Sequence, residues 1–373
     1  MQDYLKHYQM RITAQAPIHI GDGTKLGKKE YIRQGSRVIV PDTGKMFRDL
    51  QLLHLDKAYA EFVLSSSYGY MDLGWWLKEK GIMPQRIDGW KLYSMDAGDA
   101  FTKKPSGKGG TPKEILAFTK DPYGLPYVPG SSIKGMLRTA IICWRIHNNQ
   151  SLYASQIKAL IQTTSLGGKG KSFLKRQIDD IETAVLHTLA RTDRRGNAVN
   201  SIMSGFIVSD SKPLPLTQLT LAQKIDYTLN RQEKPLPILR EALKPGSQID
   251  FELTIDTNIC NITIEEVFAA LDYFQQISFD SFYAKFGRGS KAKGTVWLGG
   301  GTGFLSKTII YPACGTRALT TTDKVFYSTI GKNYTIHKHT ADIKNGVAPH
   351  VCKCTRYGGQ LYDMGMGKIE LIY

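Results

Sequence analysis

The stretch Phe286-Gly-Arg-Gly-Ser-Lys-Ala-Lys-Gly294-Thr-Val-Trp-Leu298-Gly-Gly-Gly-Thr-Gly303-Phe304 constrains this chain most. Glycine has no side chain to pack and loses the most backbone freedom on ordering, so the run reads as a connection around which elements are arranged. Its glycines let the backbone approach a ligand or take positive φ, and Lys285, Arg288, Lys291 and Lys293 add charge. Backbone amides beside cations suit a polyanion. An earlier stretch, Pro126-Tyr-Val-Pro-Gly130-Ser-Ser-Ile-Lys134-Gly-Met-Leu-Arg138-Thr, reads as the opening of a helix with Lys134 and Arg138 on one face.

The whole-chain charge points the same way: 49 Lys and Arg against 33 Asp and Glu give a formal net charge of +16, which favours a polyanionic partner. At 373 residues the chain is long for one core, so two domains are expected, 1–200 and 201–373. The cysteines Cys143, Cys260, Cys314, Cys352 and Cys354 are odd in number and sparse, which fits a reducing compartment. With no apolar signal core at the start and no membrane-length apolar run, the chain reads as cytoplasmic, without a membrane partner.

Met10 to Ile20 alternates as a half-buried strand, Ile12, Ala14, Ala16, Ile18 and Ile20 facing inward and His19 outward. Gly21 to Lys29 reads as a basic loop, and Tyr31–Arg33 with Val38–Val40 as a hairpin about Gly35-Ser36. Phe47 to Leu64 fits one helix, and Trp75-Trp76-Leu77 a short packed one. Thr102 to Pro112 reads as a mobile loop. Ser131 or Ser132 is placed to cap the helix carrying Ile133, Leu137, Ile141 and Trp144. Leu152–Gln162, Ser172–Leu189 and Thr320–Ile330 are further helical patterns; Phe206–Ser211, Thr220–Leu229, Gln248–Ile255 and Lys368–Tyr373 read as strands. Thr263-Ile-Glu-Glu266 is a capping box that opens a helix leading to the glycine run.

Gly170-Lys171-Ser172 ends like a phosphate loop, but Ser165 stands where glycine is required and the preceding segment is helical. Gly287-x-Gly289-x-x-Ala292 partly matches a dinucleotide fingerprint, yet no strand precedes it. His337-x-His339 and His350-x-Cys352-x-Cys354 do not have standard zinc spacing, so no metal and no cofactor is expected. Asp22, Asp96, Asp99, Asp121 and Asp210 lie in or beside loops without forming an acid, base and nucleophile set with His19. No catalytic residue is assigned. The basic glycine segments Gly21–Lys29, Gly130–Arg138 and Lys285–Gly303 suit a sequence-independent grip on an RNA backbone, with Tyr127, Tyr283, Phe286 and Trp297 as candidate base platforms.

Ala16-Pro-Ile-His-Ile-Gly-Asp-Gly-Thr-Lys25, Tyr127 to Ala140, Val208-Ser-Asp-Ser211 and Gly287 to Lys307 resemble the RAMP superfamily of CRISPR-associated proteins. Within it, their order and spacing resemble the fifth-subunit branch of type III-A Csm effector complexes. The resemblance implies an α+β chain of two RRM-like (ferredoxin-like) domains with helical insertions and glycine-rich loops. It implies a non-catalytic cap subunit holding guide RNA (crRNA) toward its 3′ end and supporting its maturation. The partners implied are the repeated RAMP backbone subunit, other Csm subunits and host nucleases; the alternative is a metal-independent endoribonuclease using His19 with Lys25. The RNA-binding residues expected are His19, Lys25, Lys134, Arg138, Gly287, Arg288, Gly289, Ser290, Lys291, Lys293, Gly300, Gly301 and Thr302.

Overall fold

A computed structural model describes residues 3–66, 69, 71–101, 114–170 and 172–372. In chain order the strands are β1 Leu5–Ala14, β2 Gly21–Leu26, β3 Ile32–Gln34, β4 Arg37–Pro41, β5 Lys91–Asp96, β6 Glu114–Phe118, β7 Phe206–Val208, β8 Leu219–Thr228, β9 Glu233–Leu243, β10 Gln248–Asp256, β11 Thr295–Trp297, β12 Val351–Tyr357, β13 Gln360–Asp363 and β14 Met366–Leu371. The α-helices are α1 Thr43–Leu52, α2 Asp56–Leu64, α3 Leu73–Glu79, α4 Pro84–Gly89, α5 Gly130–Asn148, α6 Ala154–Leu166, α7 Lys175–Leu186, α8 Ile264–Ser281, α9 Ile310–Cys314, α10 Ala318–Ile330, α11 Asn333–Ile336 and α12 Asp342–Asn345. Among the described residues no helix is long and apolar enough to cross a membrane.

One sheet has the order β11-β14-β1-β10-β7, every neighbour antiparallel. With α5 between β1 and β7, and α8 between β10 and β11, the chain runs βαββαβ through it. Period-two burial explains its two faces. Met10, Ile12 and Ala14 of β1 join Ile249, Phe251 and Leu253 of β10 beneath Ile133, Leu137 and Ile141 of α5 and Val267, Leu271 and Phe274 of α8. On the other face Arg11 meets Asp250 at 2.6 and 2.8 Å, while His7 and Gln9 meet Glu252.

The second sheet runs β2-β6-β9-β8-β5-β4-β3, with the β12–β13 hairpin attached to β8. Leu219, Leu221, Ile225, Leu239 and Leu243 turn into the same core as the first sheet. Helices α1 to α4 build a separate small core, with Met46, Leu50, Phe62, Trp76 and Leu77 against Ile32 and Ile39. The architecture is therefore mixed α+β with two sheets. Each sheet draws strands from both sides of residue 200, so a boundary there divides neither sheet from the other.

The hairpin at Gly35-Ser36 forms with Ile32 opposite Ile39, and Thr263 caps α8 by accepting from the Glu266 N–H at 3.2 Å. The patterns read near α3, α6, α7 and α10 are helical, and those near β7, β8, β10 and β14 are strands. Other expectations change for physical reasons. The first strand stops at Ala14; beyond Pro17, which has no N–H for a ladder, Ile18 pairs with Leu243 of the other sheet. Gly21–Leu26 is an exposed strand against β6 rather than a loop. The single helix read over Phe47–Leu64 breaks at Leu53–Leu55, where His54 takes φ 57°. Neither Ser131 nor Ser132 caps α5: the Gly130 N–H donates to Asp210 at 2.7 Å. The segment 102–112, read as a mobile loop, lies outside the described residues.

Candidate nucleic-acid interface

Three of the glycine segments meet at one groove of about 500 Å³, lined by Ile20 and Gly21, by Ser131, Gly135, Arg138 and Thr139 of α5, and by Leu298–Gly300 with Lys307. The local sequence explains the meeting. Gly130 lies against the carbonyls of Val208 and Ser209, where an added Cβ would stand 2.3 and 2.6 Å from their oxygens. Ser211 Oγ accepts from the Val128 N–H at 2.9 Å, so Val208–Ser211 and Pro126–Gly130 interlock and fix the start of α5. Gly299 takes φ +90°, a Cβ there would lie 2.1 Å from the His19 carbonyl, and Gly300 donates its N–H to that carbonyl at 2.7 Å. Only glycine allows this approach.

His19 is 4 % exposed, not outward as the alternation predicts, because the chain changes sheets just before it. Its Nδ1 lies 2.7 Å from the Glu241 carbonyl, which only accepts, so the neutral ring carries its proton on Nδ1. Burial lowers its pKa to about 4; the hydrogen bond to Glu241 opposes the shift and the nearby charge of Arg240 adds to it. Glu241 itself is fully buried and accepts from Tyr93 Oη, the Phe118 N–H and Lys120 Nζ. At neutral pH His19 is therefore an uncharged floor beneath Gly300 rather than a phosphate-pairing cation.

The expected cations separate into distinct environments. Arg138 borders the groove and two adjoining depressions, one of about 260 Å³ beside Phe173 and Phe304 and one along α7, and donates to Glu182 at 2.9 Å. Lys134 turns away to the Met203 carbonyl at 2.8 Å, and burial lowers its pKa. Lys25 pairs with Glu114 at 3.3 Å. Lys291 and Lys293 are exposed, Lys291 lying 5.0 Å over the Phe279 ring.

Arg288 is an internal anchor. It donates to Asp363 at 2.6 Å and to the Leu361 carbonyl at 3.0 Å, while the Gly289 N–H donates to the other Asp363 oxygen at 2.8 Å. Gly287 and Gly289 take positive φ to make this turn, and Ser290 gives its carbonyl to Gln275 and its hydroxyl to the Ala292 N–H. Thr302 is buried and donates to the Gly299 carbonyl at 3.1 Å, and Gly301 stands beside Arg240. Three of the aromatic candidates are core residues: Tyr283 and Trp297 stack on one another at 4.7 Å, Phe286 is buried, and Tyr127 is half-buried.

The Cys/His tail resolves into two clusters whose ligand-type atoms lie within 4.8 Å of one another, His339, Asp342 and His350, and Cys352, Cys354 and Asp363. Asp342 is hydrogen-bonded by both imidazoles, and Asp363 already holds Arg288. Lys171 lies outside the described residues, and α6 rather than a strand precedes it. Arg240 escapes the sequence reading because β9, which contains Pro235 and Pro237, does not look like a strand.

Residues 11–305 match the RAMP superfamily, and the chain belongs to it. It is similar to the CRISPR system Cms protein Csm5 of Mycobacterium tuberculosis, 28% identical over 395 residues and covering 100% of this chain and 99% of that protein. The Csm5 of Streptococcus thermophilus is 26% identical over 329 residues, 84% of this chain and 83% of that one. Among solved structures, a chain of a Csm-crRNA-target RNA ternary complex from a type III-A CRISPR-Cas system superposes with TM-score 0.62 at 19% identity, over 98% of this chain and 100% of that one. The crystal structure of T. onnurineus Csm5 gives TM-score 0.60 at 20% identity, over 96% and 99%. These two likenesses establish the fold.

Proposed function

We propose that this chain is the non-catalytic cap subunit of a type III-A CRISPR ribonucleoprotein, holding crRNA toward its 3′ end and supporting its maturation in the cytoplasm. The observation that carries the reading is the convergence of three separate glycine segments on one groove edged by Arg138 and Lys307. Gly300, Gly301 and Thr302 shape the backbone there; Arg138, Lys25, Lys291 and Lys293 supply charge; His19, Lys134, Gly287, Arg288, Gly289 and Ser290 hold the loops in place. The formal net charge of +16 favours such a partner. Relatives named Csm5 and the Csm-crRNA complex support membership in this assembly. The partners proposed with it are the repeated backbone subunit, other Csm subunits and host nucleases.

The βαββαβ sheet is read as RRM-like, but its open face pairs Arg11 with Asp250 and places Glu252 beside Gln9. Those carboxylates disfavour phosphate there and turn the RNA toward the α5 side. The buried neutral His19 also makes a poor general base near pH 7. Incubating the purified chain with labelled precursor RNA in chelator should give binding without cutting. Cutting that disappears in His19→Ala would overturn the non-catalytic reading. Binding should weaken steeply with salt, and Arg138→Ala should reduce it alike for unrelated sequences, as a lost phosphate contact does.

A further inference from the structure

The second sheet has one apolar face in the core and one face turned toward the glycine run. Across the latter, Ala222 of β8 lies opposite Arg240 of β9, and Asp226 opposite Lys353 of β12, with Lys224 between them along β8. Gly301 and Gly303 lie over this face: Cβ atoms built on them would stand 3.3 Å from the Arg240 guanidinium carbon and 3.2 Å from Lys353 Cγ. The charges there are unbalanced. Asp226 is matched by Lys353 at 2.7 Å. Glu241 points to the opposite face, where Lys120 and Tyr93 hold it. Arg240 is half-buried, and its guanidinium has no carboxylate or carbonyl partner among the described residues.

Lys307 and Lys224 are close enough to Arg240 for mutual repulsion, and burial lowers the pKa of all three. A fold gains nothing by gathering half-buried Lys224 and exposed Lys307 around an unpaired, half-buried guanidinium unless an anion joins them. Arginine's donor fork fits two oxygens of one phosphate. We propose that Arg240, with Lys307 and Lys224, is a seat for one phosphodiester of single-stranded RNA, reached at the end of the glycine groove that Lys307 borders. This rests on the RNA-binding reading and adds to it a specific contact.

The test is fluorescence anisotropy with a labelled 30-nucleotide single-stranded RNA across a salt series, using the full chain and the variants Arg240→Gln, Lys307→Gln and, as a distant control, Lys78→Gln on α3. Arg240→Gln should weaken binding about tenfold. It should also lower the slope of log affinity against log salt by about 0.7, the loss of one phosphate on a single strand. Lys307→Gln should act in the same direction and Lys78→Gln should not. Arg240→Gln should melt no lower than the parent, whereas an arginine serving only the fold would lower Tm. Parent-like affinity and slope in Arg240→Gln overturns the seat while leaving RNA binding intact. Should that variant unfold, parent-like binding by Lys307→Gln, whose changed side chain is exposed, overturns it instead. A parent chain without salt-dependent RNA binding removes the function on which the seat rests.

Discussion

At the scale of single residues, two buried groups decide how the glycine run is held. His19 is neutral in the fold because burial lowers its pKa to about 4, whereas an unfolded histidine titrates near 6.5. The folded pKa is depressed, so the unfolded chain binds more protons between these values. The stability is fully present above about pH 6.5 and is lost as pH falls toward 4, by roughly 3 kcal/mol in total. His19→Asn keeps a donor for the Glu241 carbonyl but cannot titrate. Tm measured from pH 7 to pH 4 should therefore fall less steeply in that variant than in the parent. Asp363 is the second group, since it fixes both Arg288 and Gly289. Asp363→Ala would leave a largely buried guanidinium unmatched and should destabilise by about 3 kcal/mol in urea unfolding. A loss below about 1 kcal/mol would show that Arg288 finds another partner. Arg288 and His19 are visible as residues of interest, while their roles depend on partners more than seventy and two hundred positions away, Asp363 and Glu241.

At the scale of elements, Gly130 is the pivot between α5 and the turn after β7. Gly130→Ala would drive a Cβ into the carbonyls of Val208 and Ser209, and helix α5 would have to shift away from the groove. Overpacking of this kind should reduce stability by about 2 to 3 kcal/mol, against about 1 kcal/mol for loss of the Asp210 cap in Asp210→Ala. Equal losses in the two variants, read by chemical denaturation, would mean that the close approach relaxes freely. Much at this scale is legible in the sequence. The periodicity of Ile133, Leu137 and Ile141 marks α5, and the Thr263 capping box marks α8. What escapes is what needs a partner strand. Strand β9 hides behind Pro235 and Pro237, which the sheet tolerates because β6 pairs with β9 only from Ile238 onward and the register with β8 shifts between Pro235 and Leu239. Strand β2 hides because Gly21–Leu26 is exposed and lacks an inward apolar row. With β9 unrecognised, Arg240 has no visible place beside Gly301.

At the scale of the whole molecule, the length of the chain suggests two halves, but strand pairing crosses the midpoint. β1 is the third strand of its sheet, between β14 and β10, and its Met10, Ile12 and Ala14 sit in the shared core. A fragment of residues 201–373 would expose two unpaired strand edges where β1 had been and uncover the apolar faces of Phe251 and Ile369. A fragment of residues 1–200 would likewise hold β2 and β6 without β9, which bridges them to β8. Neither fragment should unfold cooperatively alone, whereas the intact chain should lose the glycine groove and both sheets in one transition. Calorimetry of the full chain and circular dichroism of each fragment, separately and mixed, provide the measurement. Cooperative melting by an isolated fragment 201–373 would show that the sheet closes without β1, and the groove would then belong to a separable C-terminal unit. Recovery of structure only on mixing would instead tie His19, α5 and Gly299–Gly303 to a single folding event, so that the glycine groove exists only when both halves of the chain are in place.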